Sequence, residues 1–241
     1  IFALRPDAVI DAAGPFQAYG DDAYALARRC IAQGCHYLDL SDASGFTQGI
    51  GALDAAAKTA GVAVLSGASS VPGLSSAVVA DLAQGFDPGI DIDIAILPGN
   101  RAPRGLSVIE SILDGVGRPA VVRQNGGDRI VRGWTEPRRF DLALNLSRRG
   151  YFVAVTDIRL QPDRFGARGV MFRAGLELGV MNGGLRLLAA LRRLWDVDIP
   201  RPLTHALYWA SRMLYPFGSD RGGMQVSVSG CLSGHTSRRT W

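Results

Sequence analysis

Residues 7–16, Asp-Ala-Val-Ile-Asp-Ala-Ala-Gly-Pro-Phe, form a short apolar run that stops at the Gly14-Pro15 breaker. Small and β-branched residues bounded in this way predict a strand buried on both faces, because a half-buried strand would alternate apolar and polar positions. Two further short runs, 36–40 and 62–66, follow with helical patterns between them. In 21–33, Ala23, Leu26, Ala27, Cys30 and Ile31 recur at the spacing of an amphipathic helix; Asp21 and Asp22 suit its amino end and Gly34 its carboxyl end. A second helix is expected over 50–60, stopped by Gly61. The order β-α-β-α-β with short connections leaves few topologies. It predicts parallel strands with right-handed crossovers, a doubly wound α/β sheet with 7–16 supplying a central strand.

Such a sheet binds ligands beyond the carboxyl ends of its strands, which places Gly14, Pro15 and Phe16 where a flat ligand could lie. Gly14 has no Cβ to hold a ring away, Pro15 stiffens the turn and Phe16 offers an apolar face. The loop 67–76, Gly-Ala-Ser-Ser-Val-Pro-Gly-Leu-Ser-Ser, leads into an apolar helix over 74–82. There Ser69, Ser70 and Gly73 are candidates for a helix cap, or for free backbone N–H groups facing an anion or a cofactor amide. The bland alternatives are a plain strand-to-helix loop for the first stretch, which its spacing favours, and simple helix capping for the second.

The composition shifts at Phe86-Asp-Pro-Gly89, where a domain boundary is expected between 1–88 and 89–241. Up to Pro88 four basic residues face nine acidic ones, a net charge of −5; the remainder carries +9. The second part is therefore a candidate surface for anionic partners. Its arginines are scattered, without a nucleic-acid reading module, so nucleic acid is not an expected partner. Ile-Asp-Ile-Asp-Ile in 90–94 has the period of a half-buried strand. A helix is expected over 106–116, and a hairpin joins 120–124 to 129–134 through Asn-Gly-Gly-Asp. Strands near 151–155 and 169–174, helices over 182–195 and 202–215, and a strand over 224–231 complete an α+β domain.

Three cysteines without Cys-x-x-Cys spacing argue against a disulfide framework and a zinc ribbon, and fit a reducing cytoplasm. There is no His-x-x-x-His for a metal and no Gly-x-Ser-x-Gly elbow for a hydrolase. The stretch 176–195 is broken by Glu177, Arg186, Arg192 and Arg193, so a membrane span is not expected.

Five stretches in order, Ala-Ala-Gly-Pro-Phe-Gln (12–17), His-Tyr-Leu-Asp-Leu-Ser (36–41), Ser-Gly-Ala-Ser-Ser-Val-Pro-Gly-Leu-Ser (66–75), Phe-Arg-Ala-Gly-Leu-Glu (172–177) and Phe-Gly-Ser-Asp-Arg-Gly-Gly-Met (217–224), resemble the saccharopine dehydrogenase-like family of NAD(P)-dependent oxidoreductases. The resemblance implies a partial Rossmann-type parallel sheet followed by an α+β domain that supplies substrate contacts and the interface of a homodimer. It implies NAD or NADP as cofactor, and places Gly14, Pro15, Phe16, Tyr37, Asp39, Ser70, Pro72 and Gly73 on the cofactor side of the sheet. The family's Gly-x-Gly-x-x-Gly turn is absent. That turn lets the pyrophosphate reach a helix amino end. The expectation is therefore a fragment cut at both ends, which is inactive by itself.

In the whole enzyme, hydride would pass between nicotinamide and a carbon of a small amine- or carbonyl-bearing substrate. For the proton the candidates are His205, Asp220, Tyr37 and His36, with Arg221 beside Asp220. Each also has a plain structural reading: a packed or surface histidine, a turn cap, a salt bridge. Alternation along the strand sends His36 and Cys35 to opposite faces, so they form no dyad. Asn100, Arg101 and Arg104 could clamp a carboxylate through paired donors, or line a solvated loop. The competing reading is a non-enzymatic binding or scaffold protein. In one form of it, a helix at 182–195 lies on an anionic membrane surface, Leu185, Leu188, Leu191 and Trp195 on one side and Arg186, Arg192 and Arg193 polar.

Overall fold

The computed structural model describes residues 2–14, 16, 19–143, 145–195 and 198–241, and the chain divides into two units. The first comprises Ile1–Val78 and Val155–Leu160. It contains β1 (Ala8–Asp11), α1 (Ala25–Ala32), β2 (His36–Asp39), α2 (Ser44–Gly49), α3 (Asp54–Ala60) and β3 (Val64–Leu65). The strands form a parallel sheet in the order β1-β2-β3, with Val9 beside Tyr37, Asp11 beside Asp39 and Tyr37 beside Val64. The helix stops are those expected: Gly34 and Gly61 follow α1 and α3 in left-handed backbone, at φ +65° and +66°, where a side chain would be strained.

The expectation that the first strand is central and buried on both faces is corrected. β1 is an edge strand; Val9 and Asp11 are buried, while Ile10 is 66% exposed. Adding parallel strands in one direction with crossovers of one hand places the connecting helices on one face. That face packs Val9, Ala27, Cys30, Cys35, Tyr37 and Leu53 into a core. Ile10, Leu38 and Leu65 sit on the other face, so the connecting helices of this unit wind one side of the sheet only.

The second unit comprises Val79–Ala154 and Gln161–Trp241. Its elements are β4 (Asp91–Leu97), α5 (Leu106–Gly115), β5 (Pro119–Gln124), β6 (Gly127–Arg132), β7 (Arg138–Leu142), β8 (Leu146–Phe152), β9 (Gly169–Ala174), α7 (Gly179–Leu194), α8 (Arg201–Met213), β10 (Gly223–Leu232) and β11 (His235–Thr240). Two helices, α4 (Ser75–Leu82) and α6 (Asp157–Phe165), run from one unit's residues into the other's. The eight-stranded mixed sheet runs β11-β10-β4-β9-β5-β6, and β8, which carries β7, pairs with the far end of β9. The expected hairpin closes through Asn125 and Gly126, both at positive φ, a two-residue loop matched to strand twist.

Here too a half-buried strand is corrected. β4 is central, with Ile92, Asp93, Ile94, Ala95 and Leu97 buried. Its aspartate face is covered because Asp93 takes ion pairs from Arg138 of β7 and Arg173 of β9. Arg192 is corrected likewise: it is buried, and its guanidinium donates to the carbonyls of Leu113 (2.6 Å) and Val116 (2.7 Å) at the end of α5. Helix ends leave such carbonyls without intrahelical partners, which is what draws an arginine into the core here. β7, α6 and β11 escape sequence reading because β7 and β11 are polar strands and α6 holds an internal Pro162.

Candidate functional site

In unit 1 the carboxyl ends of β1 and β2 carry adjacent aspartates, Asp11 and Asp39, both buried and in register. Because parallel neighbours in register share a face, both lie on the helix-covered side with Val9 and Tyr37. Asp11 accepts from the Tyr19 hydroxyl at 3.0 Å, the Tyr37 hydroxyl at 3.4 Å and the Ala13 N–H at 3.1 Å. Asp39 Oδ1 accepts from the N–H groups of Ser41 and Gly67, each at 2.9 Å, and from Ser66 Oγ at 2.8 Å. Its Oδ2 is buried with no hydrogen-bond partner. Among the described residues neither aspartate is ion-paired.

This arrangement sets the electrostatics. Burial, reinforced by the hydrogen bond to Asp11 and its charge, pushes the Tyr19 phenol up to about 12. Tyr37 is raised further by burial and then by the negative charges of Asp39 and Asp11. Burial and Asp39 also raise Tyr24, whose hydroxyl donates to Phe46 O at 2.8 Å. Phenols held neutral in this way donate hydrogen bonds and are poorly matched to proton transfer near neutral pH. The site thus offers neutral donors, two carboxyl groups without a counter-cation among the described residues, and one buried acceptor atom without a hydrogen-bond partner.

The residues expected around it are placed as follows. Gly14 adopts left-handed backbone at φ +40°, where an added Cβ would touch the Phe16 ring. That ring does not present an open face: it is buried against Tyr19 and Phe46, with centroids 5.1 and 5.2 Å away. Pro15 lies outside the described residues. Ser70 is exposed, while Pro72 packs on Gly67 and Gly73 lies so close to the Gly67 carbonyl that a Cβ would stand 2.8 Å from it. The loop 67–73 is therefore folded on itself beside Asp39, and Ala68 N–H donates to the Asp39 carbonyl at 2.8 Å. The N–H of Leu74 is taken by Ser69 O, and the Ser75 hydroxyl donates to the buried Asp157 at 2.5 Å. His36 is exposed and its Nδ1 accepts from Ala63 N–H at 2.9 Å, while Cys35 is buried.

In unit 2 the strand-to-loop junctions converge on Glu177. Its Oε2 accepts from the N–H groups of Asn100 (2.7 Å) and Ser219 (2.8 Å), and its Oε1 from Ser219 Oγ (2.8 Å) and Arg148 (2.7 Å). Burial alone would raise this carboxyl; the two backbone donors, the Ser219 hydroxyl and Arg148 together outweigh it and hold it below its ordinary value. Asn100 is buried and donates to Leu214 O, while Arg104 donates to the Asn100 side chain at 2.7 Å and Arg101 to Pro216 O at 3.3 Å. These three are thus occupied with the chain's own carbonyls and amide. Asp220, Arg221 and His205 are exposed, without ion pairs among the described residues.

Asp11, Tyr19 and Glu177 were not singled out in the sequence. Asp11 closes an otherwise apolar strand three residues before Gly14, which is the available signal. Glu177 ends one of the five stretches, but its partners lie at positions 100, 148 and 219, too distant to be associated by spacing. No group of histidine, cysteine, aspartate and glutamate side chains among the described residues is arranged to hold a metal ion.

No family model and no curated protein matches the sequence. Among solved structures, GenD2 from gentamicin A biosynthesis, in complex with NAD, is similar at 12% identity and a TM-score of 0.32, over 97% of this chain and 54% of GenD2. The protein yvaA from Bacillus subtilis is similar at 12% identity and a TM-score of 0.29, over 98% of this chain and 65% of yvaA. The chain spans less than two thirds of either protein. At these scores neither likeness assigns an activity.

Proposed function

We propose that the chain is part of an NAD(P)-dependent oxidoreductase of saccharopine dehydrogenase-like type. Unit 1 receives the nicotinamide end of NAD or NADP, and unit 2 contributes contacts to a small substrate with an amine or carbonyl group; the whole protein pairs as a homodimer. The supporting observation is the pair Asp11 and Asp39, buried and without a counter-cation at the carboxyl ends of parallel strands. An oxidised nicotinamide ring is positively charged, and a carboxylate pair in a low-dielectric setting attracts it. Asp39 Oδ2 is an acceptor left for an amide or hydroxyl donor. Asp11, Asp39, Tyr19, Tyr37 and Gly14 are the residues that would hold this end. The bound nicotinamide would supply hydride acceptance and donation.

Calorimetric titration tests this reading. Oxidised cofactor is expected to bind several-fold tighter than reduced cofactor, and Asp11→Asn is expected to abolish that preference with little loss of fold. Equal affinity for both forms, or no saturable binding by the folded protein, overturns it.

A second reading is a non-enzymatic protein lying on anionic membranes, and its expected face is corrected in part: Leu185 and Leu188 pack against the core of unit 2 and Arg192 is buried, while Leu191 of α7 and Trp195 just past its end are exposed, as are Arg186 and Arg193, and support this reading. No helix among the described residues is long and apolar enough to cross a membrane. Cosedimentation with anionic vesicles, together with no nucleotide binding, selects this reading.

A further inference from the structure

One face of α7 runs Gly179, Asn182, Gly183, Arg186, Ala189, Ala190 and Arg193, the spacing that stacks side chains above one another along a helix. Its small residues leave room above the helix, and two cavities open along it. One, of about 440 Å³, is walled by Arg139, Arg148, Arg149 and Tyr151. The other, of about 700 Å³, is walled by Arg132, Trp134 and Glu136 as well as Arg193. Arg186 lines both. Tyr151 and Trp134 are stacked on each other, centroids 5.4 Å apart and planes 7° from parallel, so the aromatic pair contributes one ring to each cavity.

The lining is rich in donors and poor in acceptors. The acidic residues in it are already committed: Glu136 pairs with Arg129 at 2.5 Å, and Glu177 with Arg148. Arg186 and Arg193 are exposed and make no ion pair among the described residues. Each cavity wall also contains a buried N–H with no partner, Trp134 Nε1 in the larger and Arg148 Nε in the smaller. A buried indole N–H normally finds an acceptor, and Trp134 is only 3% exposed. Trp134 is moreover held at φ +63°, a conformation bulky side chains rarely adopt and one that concentrates at ligand sites.

We infer that this face of unit 2 is a binding site for a small organic anion, a carboxylate or phosphate compound held by Arg186 and Arg193. Guanidinium forks match both oxyanions, and two arginines seven residues apart on one stripe suit a ligand with two anionic groups. The inference deepens the oxidoreductase reading, on which it rests only for taking the anion to be the substrate.

The test titrates the purified full chain, at constant ionic strength balanced with chloride, with pimelate as a soluble dicarboxylate and with inorganic phosphate. At least one is expected to bind saturably. The doubly substituted Arg186→Ala, Arg193→Ala protein should bind at least tenfold more weakly, and Trp134→Phe, which keeps the stacked ring and removes the N–H, several-fold more weakly. Circular dichroism establishes that both variants are folded; if Trp134→Phe is not, the arginine variant, altered only at exposed positions, decides alone. No saturable binding of either anion, unchanged affinity in the arginine variant, or retention on anionic vesicles without soluble-anion binding overturns the inference. Nicotinamide cofactor titrations on the same samples keep the two ideas apart: intact cofactor preference with no anion binding removes only this site, and the reverse pattern removes only the cofactor reading.

Discussion

Replacing Glu177 with alanine is expected to destabilise unit 2 by about 4 kcal/mol, the range found when one partner of a buried ion pair is removed. Arg148 and Glu177 are 14% and 13% exposed, so solvent does little to screen or replace the pair. The loss is larger than one ion pair because the N–H groups of Asn100 and Ser219 lose their acceptor as well. Gly218 cannot adjust freely either, since a Cβ on it would lie 2.2 Å from Asn100 Cβ. The effect also has a pH signature. The folded carboxyl titrates below its ordinary value of 4.5. Its contribution is therefore complete above about 4.5, where both folded and unfolded states are ionised, and fades as the pH falls through the lowered folded value. Glu177→Gln keeps the shape and acceptor oxygen, and should cost less while removing this pH dependence. Denaturant unfolding midpoints between pH 3 and 7 check both; a wild-type profile that stays flat below pH 4.5, or an alanine variant within 1 kcal/mol of wild type, contradicts the assignment.

The parallel unit was legible because its signals are local. Ala27 and Cys30 sit on one helical face, Gly34 and Gly61 end their helices, and the short runs between them are strands. What local signals do not carry is what covers each face. Residues 7–16 read as doubly buried because Ala, Val and Ile look the same at an edge as at a centre. The Ile-Asp alternation of β4 reads as half-buried because a covered aspartate resembles a solvated one until its arginine partners are known. Those partners are 45 and 80 residues away. The candidate site divides in the same way. Tyr37 and Asp39 were visible at the end of a predicted strand, whereas Tyr19 meets Asp11 from eight residues along the chain, by a contact that no local pattern announces. Trp134 lies in a recognisable hairpin, but its positive φ and partnerless N–H follow from tertiary packing.

Asp93→Ala is expected to cost a further about 4 kcal/mol, for a different reason. Asp93 lies under both Arg138 and Arg173, and Arg173 is 9% exposed, its guanidinium 4.1 Å from the centre of the Phe152 ring. Burial already lowers the Arg173 pKa against the pull of Asp93, so removing the carboxylate leaves a desolvated cation over an aromatic face, with the charge of Glu136 still acting on it. Arg138 is 39% exposed and can return to water, which makes Arg173 the residue that carries the cost. If so, exchanging both buried charges for apolar groups should be tolerated: Asp93→Leu with Arg173→Met is expected to fall within about 1 kcal/mol of wild type. The two single variants and the double form a thermodynamic cycle whose coupling energy is read from denaturant midpoints. Asp91, two residues earlier on β4, is the control, since its partner Arg168 is largely in solvent. A double variant as unstable as Asp93→Ala would mean that the aspartate stabilises β4 through its backbone surroundings, and not by neutralising Arg173.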